Sequence, residues 1–174
     1  MLDINAPQGE IKNLKFRKEG KGENGAVPLD IAIVLTCAGA TPLRTLIGGN
    51  NAATFWRAND DKDLMYPYLG MCESTAKVRY CTVEIDMVIL KNCDLSKFKF
   101  KCLGGGMIEL AFNCAAKEFS EHDVSDLRAL LQDVAQIKVS GGDLVDKMND
   151  PDPEPDDDED QNDLDLDDEP SGVH

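Results

Sequence analysis

Strict alternation of apolar and polar residues is the feature that most restricts this chain. Over residues 29–37, Leu29, Ile31, Ile33, Leu35 and Cys37 share one side, and Ala32, Val34 and Thr36 make the other side mostly apolar too. Residues 96–102 set Phe98, Phe100 and Cys102 against Lys97, Lys99 and Lys101. After Gly104-Gly105-Gly106, residues 107–114 place Ile108, Leu110, Phe112 and Cys114 on a single face. A period of two belongs to a pleated strand that buries one face. Two such runs joined by a short glycine turn read as a hairpin. The first run, apolar on both faces, reads as a strand central in its sheet.

Weaker signals extend the same pattern. Residues 11–18 put Leu14 and Phe16 on one side and Asn13, Lys15 and Arg17 on the other, a half-buried strand. The glycine-rich stretch 19–28, with an Asn-Gly pair and a proline, reads as the hairpin loop that follows it. Residues 77–90 read as one strand with Cys81, Val83, Ile85, Met87 and Ile89 inward. Thr41-Pro42 reads as the cap and first residue of a two-turn helix stopped at Gly48-Gly49. Ser120 with Asp123 forms a variant capping box for a second helix. In that helix Val124, Leu127, Leu130, Leu131 and Val134 fall at 3.6-residue spacing. A short strand, 137–139, ends at Gly141-Gly142. The predicted fold is mainly β with an α+β character: an antiparallel sheet, barrel- or sandwich-like, with one amphipathic helix near its C-terminal end.

Charge divides the chain in two. Of 33 acidic residues, 13 lie in the last 25 positions, which contain no Lys or Arg; residues 1–149 hold 20 acids against 18 bases. Past Lys147 the composition turns to Asp, Glu and Pro, with too little apolar surface to offset the entropy of ordering. The predicted organisation is a β-rich globular domain over 1–148 and a disordered acidic tail over 149–174. A body of that size can bury a core without metal or disulfide staples.

Several functional classes find little support. The first residues, Met1-Leu2-Asp3-Ile4-Asn5, resemble no export signal, and no apolar run approaches the ~20 residues of a membrane helix. An intracellular, cytoplasmic protein without a membrane role is expected. The six cysteines lack Cys-x-x-Cys spacing, and His122 and His174 are the only histidines, so reduced structural thiols are expected, with no metal or cofactor. The triple glycine precedes a strand rather than a helix, which argues against a phosphate loop. His122, flanked by Glu121 and Asp123, has no partner nucleophile in any motif. No enzymatic activity is expected.

Binding residues are easier to nominate. Lys97, Lys99 and Lys101 align on one strand face, and Lys15 and Arg17 belong to a second basic group with Lys12, Lys18 and Lys21. Such strips can track a phosphate backbone. Trp56, Arg57, Tyr66 and Tyr68 lie in a stretch from Asn50 to Thr75 with no clean period, and its aromatics are placed to stack on bases. In the tail, Leu164 and Leu166 alternate with Asp165, Asp167 and Asp168, so apolar anchors sit among steering charges.

Two functions compete. A small β-rich body with basic strips and an acidic C-terminus resembles, in layout, the bacterial and phage single-stranded-DNA-binding proteins. The resemblance implies a single-stranded nucleic-acid-binding accessory protein of replication or recombination, whose tail recruits partners and competes with nucleic acid for the body. Its tip differs: those tails end on a phenylalanine, this one on Gly172-Val173-His174. The alternative is an acidic-tailed chaperone, DNA mimic or inhibitor that binds the basic surface of another protein. A plain interaction module with a solubilising tail is the third reading. A homo-oligomer is compatible with each.

Overall fold

The computed structural model describes residues 1–16, 28–48, 56–58, 65–67, 71–103 and 105–145. Among these residues eleven elements follow one another: β1 (Leu2–Phe16), β2 (Leu29–Ala38), α1 (Ala40–Ile47), β3 (Trp56–Ala58), β4 (Met65–Pro67), β5 (Met71–Ser74), β6 (Lys77–Ile85), β7 (Val88–Cys102), β8 (Met107–Glu118), a helix (Glu121–Ala129) here called α2, and β9 (Val134–Val145). Every strand pairing is antiparallel. The acidic tail expected at 149–174, and the loop expected at 19–28 save its last residue, lie outside the described residues.

Six strands close into a barrel. Phe16 of β1 is in register with Leu29 of β2, Leu29 with Ala116 of β8, and Ala116 with Cys93 of β7. The row continues from Cys93 to Cys81 of β6, to Gly141 of β9, and back to β1 at Leu2. Returning at the other end of the starting strand means strong stagger, and hence strong strand tilt. Closure leaves these six strands no long free edge. Strands β6, β7 and β8 are sequential neighbours, and β9 returns through α2 to lie beside β6, which is a Greek key. The short β5 continues the path of β6 along β7, pairing Cys72 with Phe100.

The interior is the alternation made solid. Leu29, Ile31, Ile33, Leu35 and Cys37 are buried on β2, and Phe98, Phe100, Cys102, Ile108, Leu110, Phe112 and Cys114 on the β7–β8 hairpin, as their spacing predicts. As expected of a central strand, β2 has neighbours on both sides. Helix α1 buries Leu43 and Leu46 where β2 ends, and α2 buries Val124 and Leu127 where β8 ends. The Ser74 hydroxyl donates to the Leu46 carbonyl at 2.9 Å, tying α1 to β5. At the other helix, the Gln132 N–H donates to the Ile11 carbonyl at 3.1 Å.

Local geometry overrides the pattern in five places. The run 77–90 is two strands, because Asp86 and Met87 form a tight turn; Met87 is 92% and Ile89 54% exposed, while Val88 and Leu90 are buried. Asp86 takes φ +50° and is anchored by β9: its N–H donates to the Gln136 carbonyl, and its carboxylate accepts from the Gln136 N–H at 2.8 Å. Strand β9 runs through Gly141-Gly142 rather than stopping there. Both glycines have φ +81°, and a Cβ on Gly142 would stand 2.4 Å from the Cys81 sulfur. Strand β1 begins nine residues earlier than the alternation at 11–18 suggests, since register shifts near Pro7-Gln8 and Lys12 break its period. Helix α1 starts at Ala40 with Gly39 as cap, so Thr41 is already inside it. The stripe of α2 is also shorter than its spacing suggests: the helix ends at Ala129, and Val134, in β9, faces outward.

Candidate nucleic-acid interface

The lysine row is built by the barrel wall. Burying Phe98, Phe100 and Cys102 obliges Lys97, Lys99 and Lys101 to point outward, and all three are exposed. Alternate residues on a strand stand about 7 Å apart, so the row is a short ladder of cations on a rigid support. Lys97 breaks that regularity. It adopts φ +56° at a register shift between Ser96 and Lys99. This is a β-bulge, the device by which a sheet re-aims a side chain. A long side chain in the left-handed region costs roughly 1–2 kcal/mol.

Two of the three lysines meet an acid. The Lys99 ammonium pairs with Glu73 of β5 at 2.6 Å, both exposed, and Lys101 is in register with Glu109 of β8. Elsewhere Lys117 pairs with Asp94 at 2.8 Å and Lys138 with Glu84 at 3.7 Å, and Lys12 is bonded to Glu10. Such exposed pairs contribute little to stability and dissolve readily in favour of a better anion.

Lys15 lies exposed on the outer face of β1, in register with Asp30 of β2. Asp30 is in turn opposite Ala115 of β8, while Lys99 is opposite Ala111. Lys15 and Lys99 therefore stand three strands and four residue positions apart, roughly 20 Å on the diagonal. With the strands tilted as they are, this diagonal runs along the barrel rather than round it. Beyond Asp30, which stands beside Lys15, the outward residues of β2 and β8 between the two ends are Ala32, Val34, Ala111, Asn113 and Ala115, small or uncharged. Lys15 and the lysine row thus share one side of the barrel.

Trp56 and Tyr66 are not part of the barrel's strand ladder. Trp56 and Arg57 belong to β3 and Tyr66 to β4, which pair only with each other, Arg57 in register with Tyr66. This region is therefore a short ribbon and not wholly aperiodic. Arg17, Tyr68 and the tail residues Leu164, Asp165, Leu166, Asp167 and Asp168 lie outside the described residues.

A pair of rings that sequence reasoning missed comes forward instead. Phe16, placed by its spacing on the buried side, is 45% exposed, and its ring centroid lies 6.1 Å from that of Phe119. Together with Glu121, Val124, Ser125 and Arg128 they line a groove of about 560 Å³ between the end of β1 and α2. Phe119 follows a strand whose phase would carry it outward, which was a usable hint. The exposure of Phe16 depends on how α2 covers the barrel rim, which no local pattern encodes.

Among the described residues no polar or charged side chain is buried, and no three His, Cys, Asp or Glu side chains gather as a metal site would need. His122 pairs with Asp126 at 3.4 Å on the exposed face of α2. All six cysteines are free thiols, five of them buried. Desolvation pushes Cys37 up to about 11 and Cys81 up to about 12, far from a reactive thiolate. No helix among the described residues is long and apolar enough to cross a membrane. Compared with family models, curated proteins and solved structures, the chain matches none of them.

Proposed function

We propose that the protein binds single-stranded nucleic acid on the outer face of β1, β2, β8 and β7, as an accessory protein of replication or recombination, and that its acidic tail competes for this face and recruits partner proteins. The observation that carries the reading is the track from Lys15 to the Lys97, Lys99 and Lys101 row: cations at both ends and, past Asp30 beside Lys15, small or uncharged side chains between them. A flexible polyanion can lie along such a surface without steric cost, displacing Glu73 from Lys99 as it does so. Catalysis has no place in this reading. Fluorescence anisotropy with a labelled oligonucleotide tests it. Replacing Lys97, Lys99 and Lys101 together by Ala should weaken binding and flatten its salt dependence, by about 0.7 in log–log slope for each phosphate left unneutralised. Unchanged affinity and slope would exclude the row as the interface.

The capture of Lys12, Lys99, Lys117 and Lys138 by neighbouring acids favours a second reading. Residues 1–149 hold 20 acids against 18 bases, so the body has no net positive charge, and the strongest charge on the molecule is its tail. The tail would then meet a basic protein, with Leu164 and Leu166 as anchors among Asp165, Asp167 and Asp168.

A further inference from the structure

The groove at the rim of the barrel supplies what the basic track lacks, a surface for bases. Phe16 immediately follows Lys15, so the groove opens where the track ends. Its two rings are tilted by 45°, which keeps them from covering each other face to face. Arg128 is the one cation among its lining residues. Glu121 is the one acid there, and the neighbouring Asp123 is engaged by Ser120, accepting from its N–H at 2.7 Å and its hydroxyl at 2.8 Å.

Resting on the binding face proposed above, we infer that the Phe16–Phe119 groove is a base-stacking subsite for single-stranded nucleic acid, with Lys15 and Arg128 beside the phosphates of the stacked nucleotide. Phe rings give a π-face that accepts any base, so the subsite adds affinity without sequence preference, and a guanidinium at its border can stack or pair with phosphate. The lysine row then holds backbone at one end of the track while the rings hold bases at the other. An apolar peptide or a second copy of this chain would also fit the groove by shape; the flanking cations favour the polyanion.

The test compares an oligothymidylate with an abasic oligonucleotide of the same length, both titrated into the full chain at low salt. The phosphates are the same, so only stacking separates the two. The wild-type protein should prefer the base-bearing strand by at least about fivefold. Phe16→Ala should abolish that preference while leaving abasic binding unchanged, and Phe16→Tyr should restore it. Phe119→Ala provides a second route to the same loss. Equal binding of the two strands by wild-type protein would overturn the subsite but leave the basic track standing. Failure of both strands to bind would remove the track itself, and the subsite with it. A dimer that dissociates on Phe16→Ala, with no preference between strands, would assign the groove to a second copy and overturn the inference.

Discussion

Lys97 is the residue where fold and function pull apart. Its backbone is strained in the left-handed region, yet a glycine there would be free of that strain. If the bulge exists to aim the ammonium, Lys97→Gly should raise stability by up to about 1 kcal/mol and at the same time weaken oligonucleotide binding. Urea unfolding and anisotropy on one preparation would show whether the two move in opposite directions. The buried thiols make a different prediction. Hydrogen bonding to Cys93, then burial, holds Cys114 well above its ordinary value, and burial does the same to Cys37 and Cys81. A thiol raised in the folded state ionises first in the unfolded chain. Its contribution to stability is therefore intact below pH 9 and is lost between there and the folded values of about 11 to 12. Urea midpoints should fall over that window, and less steeply in a Cys37→Ala variant. A midpoint that stays level to pH 11 would contradict the burial of these groups.

Among the elements, those that obey one rule throughout were legible. Strand β2 and the hairpin residues 98–102 and 107–114 show unbroken alternation, and the capping box of α2 is present as written. The Asp123 N–H donates to the Ser120 hydroxyl at 3.1 Å, and the Asp123 carboxylate accepts from the Ser120 N–H. Replacing Ser120 by Ala should cost about 1 kcal/mol of stability, read from the thermal midpoint. The same carboxylate accepts from the Ser120 N–H and hydroxyl, which depresses the Asp123 carboxyl, so its share of the cap is present at neutral pH and is lost as acid protonates it. Elements with an irregularity at their centre were misread or missed. The bulges of β1 hid half a strand, Gly141-Gly142 mimicked a stop inside β9, and the apolar Met87 and Ile89 disguised a turn. In each case the deciding interaction comes from a neighbouring strand, as when Gln136 pins Asp86. The candidate site divides in the same way. The lysine row follows from alternation alone, whereas the aromatic groove depends on where α2 rests.

At the scale of the whole molecule, a closed barrel whose fully buried residues, among those described, are all apolar is a rigid scaffold with its chemistry on the outside. The six strands satisfy one another's backbone groups round the ring, so removal of residues 150–174 should leave cooperative unfolding intact and shift stability by no more than about 1 kcal/mol. A lost transition would make the tail part of the fold. The tail's 13 acids and the track's lysines are attracted across solvent, screened over about 8 Å at physiological salt. On the proposed reading, a nucleic-acid strand binding the track competes with the tail for these lysines. The most direct test is an anisotropy titration of the full chain against residues 1–149, repeated over a series of salt concentrations. The truncated protein should bind a single-stranded oligonucleotide more tightly, with the gap closing as salt rises. If neither form binds even at low salt, the barrel face is not a nucleic-acid interface.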